Sequence, residues 1–97
     1  MSRSVSLTSR VQMPGEILSQ LLQDELILLN LSTGTYYSLD PVGTRIWQLL
    51  ATAPAQPLQG VVDALLQEYE TPADRCTHDL LALVTQLQEH RLLEVVD

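Results

Sequence analysis

The stretch Leu26 to Leu50, LILLNLSTGTYYSLDPVGTRIWQLL, decides the fold, because it sets an uncharged apolar hairpin directly in front of an amphipathic helix. Leu26 to Leu31 is an apolar run of strand length. Ser32, Thr33 and Gly34 supply a turn in which glycine is free to take positive φ, and Thr35 to Leu39 returns with β-branched and aromatic residues. Asp40 and Pro41 then start a helix by two independent means: an aspartate carboxylate accepts from the unpaired amides of a first turn, and proline at the first helical position gives up no hydrogen bond. Val42, Ile46, Leu49 and Leu50 follow at helical spacing as one apolar stripe, with Trp47 at its margin. From Leu26 to Leu39 there is neither charge nor proline, whereas edge strands are normally guarded by lysine, proline, a bulge or a cover. The second strand of this hairpin therefore offers its edge to a partner.

Toward the N-terminus, Glu16 to Leu22 reads as a further strand and Gln23 to Glu25 as a polar turn, while Pro14 and Gly15 break the chain. Met1 to Met13 alternates loosely through Val5, Leu7, Val11 and Met13, which fits a ragged strand or a flexible tail. Toward the C-terminus, Ala51 to Gln56 forms a connector containing Pro54. Pro57 opens a second helix in which Leu58, Val61, Val62, Leu65, Leu66 and Tyr69 keep the 3.6 period, with Gly60 weakening the first turn. Thr71, Pro72 and Asp74 repeat the pattern of cap, N1 proline and first-turn acid for a third helix. Its stripe is Cys76, Leu80, Leu83, Val84 and Leu87, its end falls near His90 or Arg91, and Leu92 to Val96 is an apolar tail suited to a wing strand. The architecture this predicts is one α+β domain over residues 1–97, of winged helix-turn-helix type, with a small antiparallel sheet of two or three strands followed by three helices.

Composition narrows the functions open to such a chain. Ninety-seven residues bury one core and leave one exposed groove, too little for a multi-domain enzyme. Twelve acidic residues stand against five basic ones, a formal net charge of −7 that repels phosphate backbones. The third helix, the usual reader of a DNA groove in this architecture, carries Asp74, Asp79 and Glu89 against Arg75 and Arg91, so nucleic acid is not expected as a partner. The one cysteine, the missing signal-peptide pattern and apolar runs too short to span a bilayer point to a cytoplasmic chain with no membrane partner. Cys76 lies on the apolar stripe and reads as a buried thiol. His78 points to a different side of the helix and His90 lies about 18 Å further along, so no metal-ligand set converges. No Gly-rich phosphate loop, carboxylate pair or Ser/His/Asp arrangement can be assembled, and neither catalysis nor a cofactor is expected.

Three segments together resemble a known family: TGTYYSLDPVGTRIWQLL (Thr33 to Leu50), LLQEYE (Leu65 to Glu70) and RCTHDLLALVTQL (Arg75 to Leu87). They are similar to the PqqD-like family, which supplies the recognition element in pathways that modify ribosomally made peptides. The resemblance covers about Glu16 to Val96, and its T-G-x-Y-Y form is most similar to stand-alone leader-binding proteins of lasso-peptide pathways. It implies that the leader segment of a precursor peptide docks as an added strand on the hairpin's edge, against the third helix. The same resemblance implies delivery to a leader-processing protease and a macrocyclising enzyme. The chain departs from the family in Arg91-Leu92-Leu93, where family patterns end in Gly-Leu-Leu.

The residues themselves are compatible with that mode. Strand addition needs free backbone groups, an adjoining side-chain groove and no gatekeeping charge. Along Thr35, Tyr36, Tyr37, Ser38 and Leu39, strand alternation sends Tyr37 and Leu39 toward the helices and leaves Tyr36 nearer the outer face. On the third helix, Arg75, Asp79, Ala82 and Gln86 flank the apolar stripe at spacings of three and four, with Leu83 as an apolar floor and Ala82 small enough for a backbone to approach. These ten residues form the expected peptide site. Plainer readings stand beside it: tyrosines and Trp47 as core filling, Asp40 as a cap alone, and Arg75 with Asp79 as a local ion pair. The unguarded edge also permits self-pairing into a dimer, and an acidic winged-helix regulator that binds protein is a further alternative.

Overall fold

The computed structural model describes residues 5–52 and 57–96 and runs β1 (Arg10–Gln12), β2 (Ile17–Leu22), β3 (Glu25–Asn30), β4 (Tyr36–Leu39), α1 (Pro41–Thr52), α2 (Leu58–Glu68), α3 (Ala73–Glu89) and β5 (Glu94–Val96). Two sheets result. Strands β2, β3 and β4 form an antiparallel sheet in that spatial order, and β1 pairs antiparallel with β5 in a separate ribbon, Arg10 opposite Val96. The fold is α+β, a small antiparallel sheet followed by three helices. The apolar tail does form a strand, but it joins the N-terminal segment and not the main sheet. Val11 and Val95, paired across this ribbon, and the preceding Leu92 and Leu93 are buried and belong to the core. The connector expected at Ala51 to Gln56 is shorter on its N-terminal side, because α1 continues through Thr52; residues 53–56, and 1–4 of the expected tail, lie outside the described residues.

Local chemistry explains where each element starts and stops. Glu25, expected in the turn, is the first residue of β3 and pairs with Leu22, so the hairpin turn is Gln23 and Asp24 alone. Gln23 takes the positive φ (57°) that a two-residue hairpin demands. The second turn is organised by Asn30, whose side-chain oxygen accepts from the Ser32 and Thr33 amides (2.8 and 3.2 Å) while its carbonyl accepts from Gly34 (2.8 Å, φ 77°). Thr35 belongs to this turn, its hydroxyl accepting from Thr33 Oγ1, and the strand proper begins at Tyr36. Leu31, expected at the end of β3, falls just beyond it and is exposed.

At α1 the capping aspartate behaves as its sequence position suggests. Asp40 Oδ1 accepts from the Gly43 amide at 2.7 Å. A Cβ on Gly43 would stand 3.2 Å from that oxygen and 3.3 Å from Leu39 Cδ2, so glycine permits the tight join between β4 and α1. The buried face of α1 is Gly43, Thr44, Ile46, Trp47 and Leu50. Trp47 is therefore inside, not marginal, and Val42 points outward at 46 % exposure.

Helix α2 begins after Pro57, and its first amides are met by the N-terminal arm: Leu58 and Gln59 donate to the carbonyls of Ser9 and Leu7 (3.0 and 2.9 Å). Helix α3 has Pro72 at its cap position and no side-chain cap bond, so Thr71 does not cap it; proline's extended backbone simply presents its carbonyl to the Cys76 amide (3.0 Å). Its C-terminus is a Schellman closure, with Leu92 N–H on the Leu87 carbonyl (2.9 Å) and Arg91 N–H on the Gln88 carbonyl (3.0 Å). Arg91 sits at the left-handed position (φ 59°), where the family pattern has glycine, and Asn30 Nδ2 donates to its carbonyl at 2.7 Å.

One apolar core joins these parts. Leu26, Leu28 and Leu39 on the inner sheet face meet Ile46, Trp47 and Leu50 of α1, Leu58, Val61, Val62 and Leu65 of α2, and Cys76, Leu80, Val84 and Leu87 of α3. The register sends Leu18, Leu22, Leu29 and Tyr36 to the opposite face, where Leu18, Leu22 and Tyr36 are exposed.

Candidate peptide-binding cleft

Strand β4 pairs with β3 on one side and with no other strand among the described residues. The Asn30 amide donates to the Thr35 carbonyl at 2.8 Å, and antiparallel ladders alternate, so Tyr37 and Leu39 also turn their amides and carbonyls to β3. Tyr36 and Ser38 are left with theirs facing the open edge. Four main-chain groups thus stand along that rim.

Beside the rim lies a cleft of about 560 Å3, bounded by Tyr37, Ser38 and Leu39 of β4, Val42, Gly43 and Ile46 of α1, and Asp79 and Leu83 of α3, with Glu25 and Asp40 at its edge. Of the ten site residues read from the sequence, Tyr37, Ser38, Leu39, Asp79 and Leu83 come together in this cleft. The other five do not line it. Thr35 lies in the turn and Tyr36, 71 % exposed, points to the outer face, although its backbone belongs to the rim. Ala82 is exposed on α3 outside the lining. Gln86 is held by Tyr37, whose hydroxyl donates to Gln86 Oε1 at 2.6 Å; the Tyr37 ring also meets His90 edge-on at 5.3 Å. Tyr37 therefore bridges β4 to the C-terminal half of α3 and is half-buried, less deeply in the core than alternation predicts.

Arg75 faces an adjoining smaller pocket and pairs with Asp79 across one helical turn at 3.9 Å, with both side chains largely exposed. The local ion pair is present, and at that exposure its contribution to stability is small. Sequence reasoning missed Glu25, Asp40, Val42, Gly43 and Ile46 as cleft residues. The family motif that includes Gly43 and Ile46 was the available signal, whereas Val42 needed the orientation of α1.

Two sets of side chains on the helices have shifted acidities. Arg45 of α1 makes a two-pronged bond to Glu68 at the end of α2 (2.8 Å on each side), which holds the Glu68 carboxyl below the usual carboxylate range and raises Arg45. Burial, helped by the Asp79 charge, pushes the Cys76 thiol up. Among the described residues, no group of three or more His, Cys, Asp or Glu is placed to hold a metal, and no helix is long and apolar enough to cross a membrane.

Residues 25–93 match the family described as Coenzyme PQQ synthesis protein D (PqqD). The chain belongs to the PqqD family. Two solved structures share its fold. TbiB1 in complex with the TbiA(beta) leader peptide is 36 % identical over 86 % of this chain and 94 % of that one, with a TM-score of 0.76. Lasso peptide synthetase B1 complexed with the leader peptide is 26 % identical over 91 % of this chain and 99 % of that one, with a TM-score of 0.68. No curated protein matches the chain. The PqqD match spans β4, α1 and α3, the elements that enclose the cleft.

Proposed function

We propose that this protein is a non-catalytic, cytoplasmic recognition module that captures the leader segment of a ribosomally made precursor, in lasso-peptide biosynthesis, by adding it as a strand to β4. It then presents the precursor to a leader-processing protease and a macrocyclising enzyme. The observation that carries the reading is the open rim of Tyr36 and Ser38 beside the cleft, on a chain similar to two leader-peptide complexes. Asp79 and Leu83 supply side-chain contacts across the cleft, and Tyr37 with Gln86 closes one end of it.

The energetics are adequate. Four rim hydrogen bonds contribute roughly 0.5–1.5 kcal/mol each, two apolar anchors add about 1.5–3 kcal/mol each, and ordering the peptide costs a few kcal/mol. The favourable end of that balance, roughly 7–10 kcal/mol, corresponds to micromolar to high nanomolar affinity. Calorimetric titration with the TbiA(beta) leader peptide tests the reading: saturable one-to-one binding in that range is the expected result. No detectable binding at 100-fold higher peptide concentration overturns it.

A further inference from the structure

We infer that two copies of this chain associate edge to edge through β2, joining their sheets into one of six strands with the helices of both copies on one face. The inference is independent of the leader-binding reading and concerns the opposite edge of the same sheet. Strand β2 pairs with β3 on one side and with no other strand among the described residues. Its rim is longer than that of β4. The Leu31 amide donates to the Glu16 carbonyl at 2.9 Å, one step before Ile17 faces Asn30 in the ladder. Alternation therefore gives Leu18, Gln20 and Leu22 their bonds to β3 and turns the amides and carbonyls of Ile17, Ser19 and Leu21 to the outer edge. Neither face of β2 is covered. Helix α1 packs on β3 and β4, while on β2 the inward Ser19 and Leu21 and the outward Leu18 and Leu22 are exposed, the three leucines by more than half. An apolar strand with a bare edge and two bare faces is a template for another strand.

The rim is complementary to itself. Antiparallel pairing about a two-fold axis at Ser19 sets Ile17 opposite the partner's Leu21 and Ser19 opposite the partner's Ser19, so every outward amide and carbonyl of β2 finds a mate. Charge permits this contact. No charged residue lies from Ile17 to Leu22, and Glu16 falls opposite the partner's Leu22, not opposite a carboxylate. At β4, by contrast, Glu25, Asp40 and Asp79 stand beside the edge. The axis runs perpendicular to the sheet, so the two helical layers share one side, and the open space above β2 keeps them apart. Both β4 edges stay free at the outer ends of the joined sheet. Six residues of strand fall well short of the roughly 20–30 residues a side of a standard interface, so the dimer is weak and depends on concentration.

Sedimentation velocity of the full chain over a hundredfold range of concentration, at low and at high salt, is the test. A monomer–dimer equilibrium is expected, tightening severalfold at high salt as the repulsion between two chains of −7 is screened. Ser19→Lys, a change at an exposed position, sets two like charges on the axis and should weaken dimerisation at least tenfold with the circular dichroism unchanged. Register is read by cross-linking in a Cys76→Ala background. Ser19→Cys places its two Cα atoms about 5.5 Å apart, within disulfide reach, and should oxidise to a linked dimer at least tenfold faster than Gln20→Cys, whose Cα atoms stand roughly 9 Å apart. A chain that is monomeric at every concentration and salt overturns the pairing. So does a dimer that survives Ser19→Lys, that cross-links equally through both cysteines, or that is lost in Tyr36→Pro, which would put the contact at β4.

Discussion

Replacing Tyr36 by proline removes one donor from the open rim and leaves the rest of the sheet alone. The Tyr36 amide faces away from β3, so no ladder bond is lost, and proline is tolerated on an edge strand whose N–H points outward. The preceding Thr35 lies in the turn, where the extended backbone that proline imposes on its neighbour is acceptable. A peptide paired with β4 would lose one hydrogen bond and leave its own carbonyl against the ring, a loss of about 1–3 kcal/mol, or roughly 5- to 150-fold in Kd. Tyr36→Ala supplies the reference, because the exposed ring contributes at most a cross-strand contact of about 0.2–1 kcal/mol. Titration of both variants with TbiA(beta) leader peptide, with circular dichroism to confirm the fold, gives the excess of proline over alanine. N-methylation along the peptide should show the same thing from the other side, as losses at alternate positions. A folded Tyr36→Pro protein that binds as tightly as Tyr36→Ala refutes strand addition at this edge.

Asp79→Ala should weaken peptide binding at least fivefold while shifting the midpoint of urea unfolding little, since its ion pair among the described residues is the exposed one with Arg75; a collapse of stability would make Asp79 structural. Asn30→Ala should destabilise the fold by about 1–3 kcal/mol in urea unfolding, because the buried amide organises the β3–β4 turn and bonds to Arg91. Arg91→Gly should stabilise it by about 1 kcal/mol by relieving a left-handed side-chain residue. For Glu68 the folded carboxyl titrates below its unfolded value, so its pair with Arg45 favours the fold above the ordinary carboxylate range and is lost as pH falls through the depressed value. Carboxyl-carbon NMR should show Glu68 titrating lower in wild type than in Arg45→Gln.

Most of the fold was legible because its signals are local. The uncharged hairpin, the Asp40 cap and the periodic stripes of α2 and α3 depend on residues within one or two turns of each other, and the structure keeps them. What was illegible depended on distant partners. Asn30 looks like an interruption in an apolar run, and its partner Arg91 lies 61 residues away. The rotation of α1 was misread because Val42 continues the apolar period. The tight approach of Gly43 to Leu39 and Asp40 instead turns the neighbouring face inward and puts Trp47 in the core. The cleft shows the same division: β4 alternation and α3 spacing bring Tyr37, Leu39, Asp79 and Leu83 to its lining, whereas the bond from Tyr37 to Gln86 joins residues 49 apart in sequence.

The open edge and the surrounding carboxylates answer different halves of recognition. Main-chain bonding to Tyr36 and Ser38 contributes nearly the same free energy to any extended peptide, including the edge of a second copy, so affinity from the rim carries little discrimination. A second copy would bring its own Glu25, Asp40 and Asp79 toward the same three residues on a chain already at −7, and like charges set against one another disfavour that pairing. A peptide that is neutral or basic where it crosses that edge meets no such opposition. On this argument the free strand needs no lysine or proline on it, because the carboxylates of Glu25, Asp40 and Asp79 beside it oppose a second acidic copy more than they oppose a neutral or basic peptide.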